Sequence, residues 1–178
     1  MENLDVMVLC QLRDWLQSGK RALLATVVRT WGSSPRPVGS IMALCEDGAV
    51  VGSVSGGCIE DDLIYRCTSA YAQQAMPSGA PEFVKYGVTA DEAHRFGLPC
   101  GGTIELALEP LAAHSRIDEL LQRLAEHELV ARTLDLRTGA VKLERARPGA
   151  VLEHSSELLV TQHGPRWRLL VIGAGQAG

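Results

Sequence analysis

Glycine pairs flank a cysteine at two places, Ser55-Gly56-Gly57-Cys58 and Cys100-Gly101-Gly102, and no other feature restricts the fold as tightly. Paired glycines leave the backbone without side-chain cover and open φ values closed to other residues. They belong at junctions between elements, where a ligand can approach bare N–H groups closely. A thiol at each junction marks a place able to hold an anionic or metal-bearing ligand.

The surrounding pattern supplies the elements to be joined. Asn3 to Ser18 reads as an amphipathic helix with Leu4, Val8, Leu9, Leu12 and Leu16 on one stripe, stopped by Gly19. Arg21–Thr30 is apolar and β-branched, a buried strand. Trp31–Ser40 holds two prolines, two glycines and three serines and must be a loop. Ile41–Cys45 and Ala49–Val54 flank Glu46-Asp47-Gly48 as a hairpin. A helix is expected from Cys58 to Met76, broken by Pro77, and then a strand over Glu82–Gly87.

Thr89-Ala90-Asp91-Glu92 has capping-box spacing for a short helix containing His94. Thr103–Glu109 alternates as a strand ending at Pro110. Ser115–Glu128 is helical, with Ile117, Leu120, Leu121 and Leu124 on one face. Leu129–Leu136 and Ala140–Glu144 form a second hairpin around Arg137-Thr138-Gly139. Arg145–Gly164 is polar, with one apolar patch at Leu158–Val160. Hairpins outnumber crossovers, so the fold class expected is α+β: a mostly antiparallel sheet with packed helices.

Composition excludes several functions. The 178 residues carry a net charge of −4 and show no basic face, which argues against nucleic-acid binding. No apolar run is long enough for a membrane span, and the acidic N-terminus lacks a secretory n-region. A cytoplasmic location is expected. Five widely spaced cysteines without a CxxC pair argue against a disulfide framework or a zinc knuckle. Cys10, Cys45 and Cys67 lie on apolar stripes and read as core. His114, His127, His154 and His163 show no metal-ligand spacing.

The last segment, Arg168–Gly178, runs an apolar strand into Gly173-Ala174-Gly175-Gln176-Ala177-Gly178, the opening of a dinucleotide-binding unit. The helix that would bind the phosphates does not follow, so NAD(P) is not expected on this chain. The domain reading is 1–164 as one domain and 165–178 as the first strand and glycine turn of an incomplete Rossmann domain.

The run Ala25–Leu63 (ATVVRTWGSSPRPVGSIMALCEDGAVVGSVSGGCIEDDL) and Cys100–Pro110 (CGGTIELALEP) resemble the XdhC/CoxI family. That resemblance implies an accessory protein of xanthine dehydrogenase-type molybdenum hydroxylases, with a cofactor-binding N-terminal domain and a C-terminal Rossmann domain. It implies binding of molybdenum cofactor (molybdopterin, in mononucleotide or dinucleotide form), protection from oxidation, and help in sulfuration and insertion. The implied partners are the hydroxylase and a cysteine desulfurase supplying sulfur; a homodimer is expected from half-exposed strands.

The residues suit such a ligand in part. Ser55, Gly56, Gly57 and Cys58 at a helix start would offer N–H groups to an anion and a soft thiolate to molybdenum. Glu60, Asp61 and Asp62 oppose this by repulsion. Cys100, Gly101 and Gly102 would form a glycine-lined edge facing the first motif, Cys100 being a second metal contact or mere filler beside a bulge. Ser34 and Arg36, stiffened by Pro35 and Pro37, would grip a phosphate or simply form a solvated loop. His94 beside Cys100 is a minor catalytic candidate. Competing readings are a thiol-dependent sulfur transferase, a nicotinamide-dependent oxidoreductase in the full-length protein, or a module for dimerisation or docking.

Overall fold

The computed structural model describes residues 4–32, 36–68, 76–87, 102–147, 149 and 152–165, and of Cys58 the backbone. Two antiparallel sheets with helices packed on them confirm the α+β class. α1 (Leu4–Gln17) leads into β1 (Ala22–Trp31), β2 (Ile41–Cys45) and β3 (Val50–Gly52). α2 (Cys58–Cys67), β4 (Glu82–Tyr86) and β5 (Thr103–Pro110) follow. A 3-10 turn (Ala113–Ser115), α3 (Ile117–Ala125), β6 (Val130–Asp135), β7 (Val141–Arg145), β8 (Glu153–His154) and β9 (Leu158–His163) complete the described order. The first sheet runs β3-β2-β1-β5-β4 and the second β7-β6-β9-β8.

β1 is the central strand of the first sheet, and its continuous apolar run reflects burial on both faces. Leu23, Ala25 and Val27 pack with Ile59 and Leu63 of α2. Ala22, Leu24 and Val28 point the other way, into a core shared with Val8, Leu9, Leu12 and Trp15 of α1 and with the second sheet. Leu4, expected on the α1 stripe, is instead exposed, and Cys10 is only half-buried. Cys45 and Cys67 are core as expected, and burial pushes both thiols up.

β5 departs from its simple alternation. Ile104, Leu106 and Leu108 face α2, yet Glu105 and Glu109 on the opposite face are also buried. Each has a cation: Lys85 Nζ lies 3.3 Å from Glu105, and Arg132 of β6 grips Glu109 through two Nη donors. A bulge at Val28 shifts the β1–β5 register, so that Arg29 rather than Val28 faces Glu105.

Three expectations are corrected. α2 stops at Cys67, because Thr68 turns extended and its hydroxyl donates to the Ile64 carbonyl. The helix expected over Ser115–Glu128 is shorter, since Arg116 adopts a left-handed conformation after the 3-10 turn and Glu126 and His127 leave the helix. The polar stretch after Arg145 contains a β8–β9 hairpin whose inward residues include Thr161 and His163. The expected helix around His94 and the terminal glycine turn lie outside the described residues.

Gly52 closes β3 where α1 crosses it. A Cβ there would lie 2.5 Å from the Ile41 carbonyl oxygen and 2.7 Å from Val8 Cγ2, at φ +88°. Gly52→Ala is therefore expected to cost about 2–3 kcal/mol through overpacking and left-handed strain, read as a drop in denaturation midpoint. A cost below about 0.5 kcal/mol, the range of ordinary surface changes, would contradict this packing.

Candidate functional site

Strand order brings separate segments of chain to one end of the first sheet. β3 ends at Gly52 opposite Met42, β1 ends at Trp31 opposite Thr103, and β4 ends at Tyr86 opposite Ile104. The Ser53–Gly57 loop, the Trp31–Gly32 end, the Arg36–Ser40 stretch and Gly102 therefore all emerge there. Gly52 lies level with Met42, Ala25 and Leu108 across the sheet, so the start of β5 at Thr103 leaves it three strand steps (about 14 Å) to the side and five residues (about 17 Å) further along. β1 also projects beyond β2, because Ile41 pairs with Thr26 and not with Trp31. The Arg36–Ser40 stretch fills this step, tied by Val27 N–H to the Ser40 carbonyl (2.9 Å) and by Gly39 N–H to the Val27 carbonyl (2.8 Å).

Glu60 organises the first motif. Its carboxylate accepts the backbone N–H groups of Val54 (2.9 Å), Ser55 (2.8 Å), Gly56 (3.0 Å) and Gly57 (2.9 Å). The hydroxyls of Ser53 (2.8 Å) and Ser55 also donate to it. The geometry is half of a capping box: a Glu at the third helical position reaches back to the N-cap N–H. Gly57 holds φ +154°, ψ −77°, which turns successive N–H groups toward one point. Burial pushes the Glu60 carboxyl up, but the donors from Ser55, Gly56 and Ser53 outweigh it and hold the group well below the usual carboxylate range.

The expectation that the N–H groups of Ser55, Gly56 and Gly57 stand open for a ligand anion is thus corrected. An internal carboxylate already takes them. The other acids of the helix start fare differently. Asp61 is exposed, whereas Asp62 accepts the Tyr86 hydroxyl at 2.9 Å and lies 3.6 Å from Arg66. Burial and the Asp62 carboxylate push the Tyr86 phenol up. Asp62 has the Arg66 cation beside it, whereas Glu60 is held by neutral N–H and O–H donors and keeps its negative charge at the motif.

Arg36 joins this network. Its Nε donates to Ser53 Oγ at 3.3 Å, and Ser53 passes the connection to Glu60. Arg36 is thus linked through Ser53 and Glu60 to Ser55, Gly56 and Gly57, and neither Ser53 nor Glu60 is among the binding residues expected from the sequence. The signal for Glu60 was present in the Gly57-to-Glu60 spacing. Gly102 is buried at the start of β5, next to Thr103, whose hydroxyl donates to the Gly87 carbonyl at 2.9 Å. Ser34, Cys100, Gly101 and His94 lie outside the described residues, as does the side chain of Cys58. No group of three or more potential metal ligands occurs among the described residues.

Around the second motif, Trp31 is flanked by two cations, with Arg29 Cζ 5.4 Å and Lys85 Nζ 5.7 Å from its ring centre. On the side of the second sheet, a groove of about 830 Å³ opens between Val38–Ile41 and the β6 and β9 ends. That volume suits a small organic molecule. Its described walls contain no residue of either glycine–cysteine motif.

Comparison with known proteins bears out the resemblance carried by the motifs. Residues 15–87 match the XdhC and CoxI family. Over 120 residues the chain is 36% identical to the molybdenum cofactor insertion chaperone PaoD of Escherichia coli K12, an overlap covering 67% of this chain and 36% of that protein. It is 30% identical over 103 residues to a probable xanthine dehydrogenase subunit from Bacillus subtilis 168, covering 57% of this chain and 30% of the relative. The chain thus spans about a third of the length of these curated relatives. A solved structure described as a xanthine dehydrogenase from Bacillus halodurans shares the fold, with a TM-score of 0.62 at 22% identity over 88% of this chain and 52% of that one.

Proposed function

We propose, on the premise that residues 15–87 match the XdhC and CoxI family, that this chain is the cofactor-binding part of a molybdenum cofactor chaperone. The observation that supports the reading is the hydrogen-bonded network of Arg36 and the Ser53–Gly57 loop at the end of the first sheet from which β5 also starts. The similarity to a molybdenum cofactor insertion chaperone supports the same cargo.

The chemistry follows from what each group can offer. The cargo carries phosphate and a thiolate-seeking metal. The Arg36 guanidinium, with Ser34 beside it in sequence, suits the phosphate as a fork of donors. Glu60 holds the turn that starts α2, and so sets where residue 58 enters the helix. Cys58, and Cys100 before β5, would supply soft sulfur to molybdenum. Ser55, Gly56 and Gly57 act as the frame of the site, with Gly101 and Gly102 forming its far edge. No helix among the described residues is long and apolar enough to cross a membrane.

The finer reading has the chaperone assist sulfuration, with a cysteine desulfurase as sulfur source, and deliver cofactor to a xanthine dehydrogenase-type hydroxylase in the cytoplasm. It includes a homodimer, a division into domains at 164/165, and a mononucleotide or dinucleotide form of the cargo.

Incubation with molybdenum cofactor followed by gel filtration tests the core of this. The wild-type chain is expected to retain molybdenum and pterin in comparable amounts, and Cys58→Ala to retain less metal. A wild-type chain emerging free of both would overturn the reading.

A further inference from the structure

The outer edge of the second sheet meets the first sheet through one histidine. β8 ends the order β7-β6-β9-β8, with His154 in register opposite Leu159 of β9. The His154 ring crosses to the first sheet. It lies 5.6 Å from the Phe83 ring of β4, and its Nε2 is 3.9 Å from Oε2 of Glu105 on β5. The His154 and Glu105 side chains are only 16% and 9% exposed. Nδ1 and Nε2 of His154 are both buried, and neither has a hydrogen-bond partner among the described residues.

A neutral imidazole carries one donor and one acceptor, and burying both unpaired is costly. A protonated ring carries two donors, and here a carboxylate stands before one of them. Glu105 has its oxygens divided for this: Lys85 Nζ lies 3.3 Å from Oε1, and Oε2 faces His154. The other ionisable groups of the packed elements are placed as follows. β4 brings Lys85, which is exposed, while Glu82 alternates to the opposite face. β1 brings Arg29, opposite Glu105 in register, exposed and seated on Trp31. Glu109, further along β5, is closed on Arg132. On the hairpin itself Glu153 alternates to the other face, Glu157 is exposed, and β9 has no ionisable side chain before His163. Burial, Lys85 and Arg29 oppose a charge on the ring. Both cations are screened by water, whereas Glu105 is buried and nearest, so the carboxylate prevails.

We propose that His154 is a proton-operated tie between the two sheets: charged, it closes on Glu105 and pins the β8–β9 hairpin against β5; neutral, it lets that edge open. The tie forms as pH falls through the ordinary histidine range, about 6.5. The folded chain then holds a proton that the unfolded chain holds less tightly, so the contribution of the tie is complete below that range and is lost as pH rises above it. No part of the tie depends on cofactor binding.

Urea unfolding of the full chain at about pH 8 and about pH 5.5, on either side of the histidine range, tests it. Groups common to wild type and His154→Gln, Glu60 included, titrate alike and cancel in the ratio of the two folding constants. That ratio is expected to rise about tenfold from the higher pH to the lower, the scale of one charge-assisted contact. In a Glu105→Gln background the same His154→Gln change should give no such rise. Hydrogen exchange reads the tie in the wild type without any substitution. Protection over residues 153–160, corrected for the intrinsic exchange rate, should rise by about tenfold in acid relative to β1. A ratio that stays level or falls in acid, a rise that survives Glu105→Gln, or hairpin protection unchanged relative to β1 would overturn the proposal.

Discussion

Glu60→Ala is expected to lower the stability of this protein by roughly 3–4 kcal/mol, although residue 60 contributes nothing to the apolar core. Four backbone N–H groups and two hydroxyls converge on its carboxylate. Hydrogen bonds to a charged acceptor contribute about 1.5–3 kcal/mol each net of hydration and do not add fully when they share one acceptor, and buried donors left without a partner cost about 1–3. Gly56 and Gly57 are exposed, so water replaces part of the loss there; Val54 and Ser55 are buried and lose their acceptor outright. A shift of this size lowers the melting temperature by about 10 °C in a domain of this length. Glu60→Gln keeps one acceptor but turns an amide NH₂ toward donors, and should lose about half as much by the same accounting.

The pH dependence has a definite sign. The folded Glu60 carboxyl titrates below its unfolded value, which is near 4.3. Its contribution is therefore complete above the unfolded value and is lost as pH falls through the folded one. The stability difference between wild type and Glu60→Gln should be constant above about pH 5 and shrink in acid. A difference that grows in acid would contradict an ionised Glu60.

A comparable loss is expected at the joint between the two sheets. Arg132 and Glu109 have side chains only 2% and 4% exposed, and the guanidinium meets the carboxylate with two donors, Nη1 at 2.8 Å. Nη2 also reaches the Ser115 carbonyl at 3.3 Å, while Nε has no partner among the described residues. Arg132→Met strands a buried carboxylate and should cost about 3–5 kcal/mol. The double change Arg132→Met with Glu109→Leu removes both charges, and should recover most of that loss, because a well-packed apolar pair often equals a buried ion pair. Chemical denaturation of the two variants measures the coupling. A double variant as unstable as the single one would mean that the cost came from lost packing and not from the stranded charge.

Local pattern made much of the frame legible. The α1 stripe, the β-branched β1 run and both hairpins stand in the sequence because periodicity and turn residues are short-range signals. What stayed hidden depended on partners far along the chain. The alternation Thr103–Glu109 suggested a strand with one wet face, and only Lys85 and Arg132 reveal why both glutamates can be buried. The β8–β9 hairpin escaped notice because its inward positions include Thr161 and His163 instead of a clean apolar series. Thr68 ended α2 by a local side-chain bond that helical periodicity does not report.

The site was legible in its parts and not in its wiring. Glycine pairs marked the junctions, and Arg36 was singled out on the stiffness of its loop. Their meeting at one sheet end follows from the order β3-β2-β1-β5-β4, a set of long-range pairings. By sequence alone Glu60 is a charge that repels a ligand anion, whereas folded geometry also makes it the acceptor that shapes the loop.

Molybdenum cofactor binding by wild type and Arg36→Ala, compared at matched protein concentration, tests the central claim most directly. Arg36 is exposed and bonds Ser53 at the edge of the network, and the melting temperature of the variant is measured beside its affinity to check its folding. The account predicts bound molybdenum and pterin on the wild type and an affinity about tenfold lower in the variant, the scale of one charge-assisted phosphate contact. Equal affinity in the two proteins would contradict it.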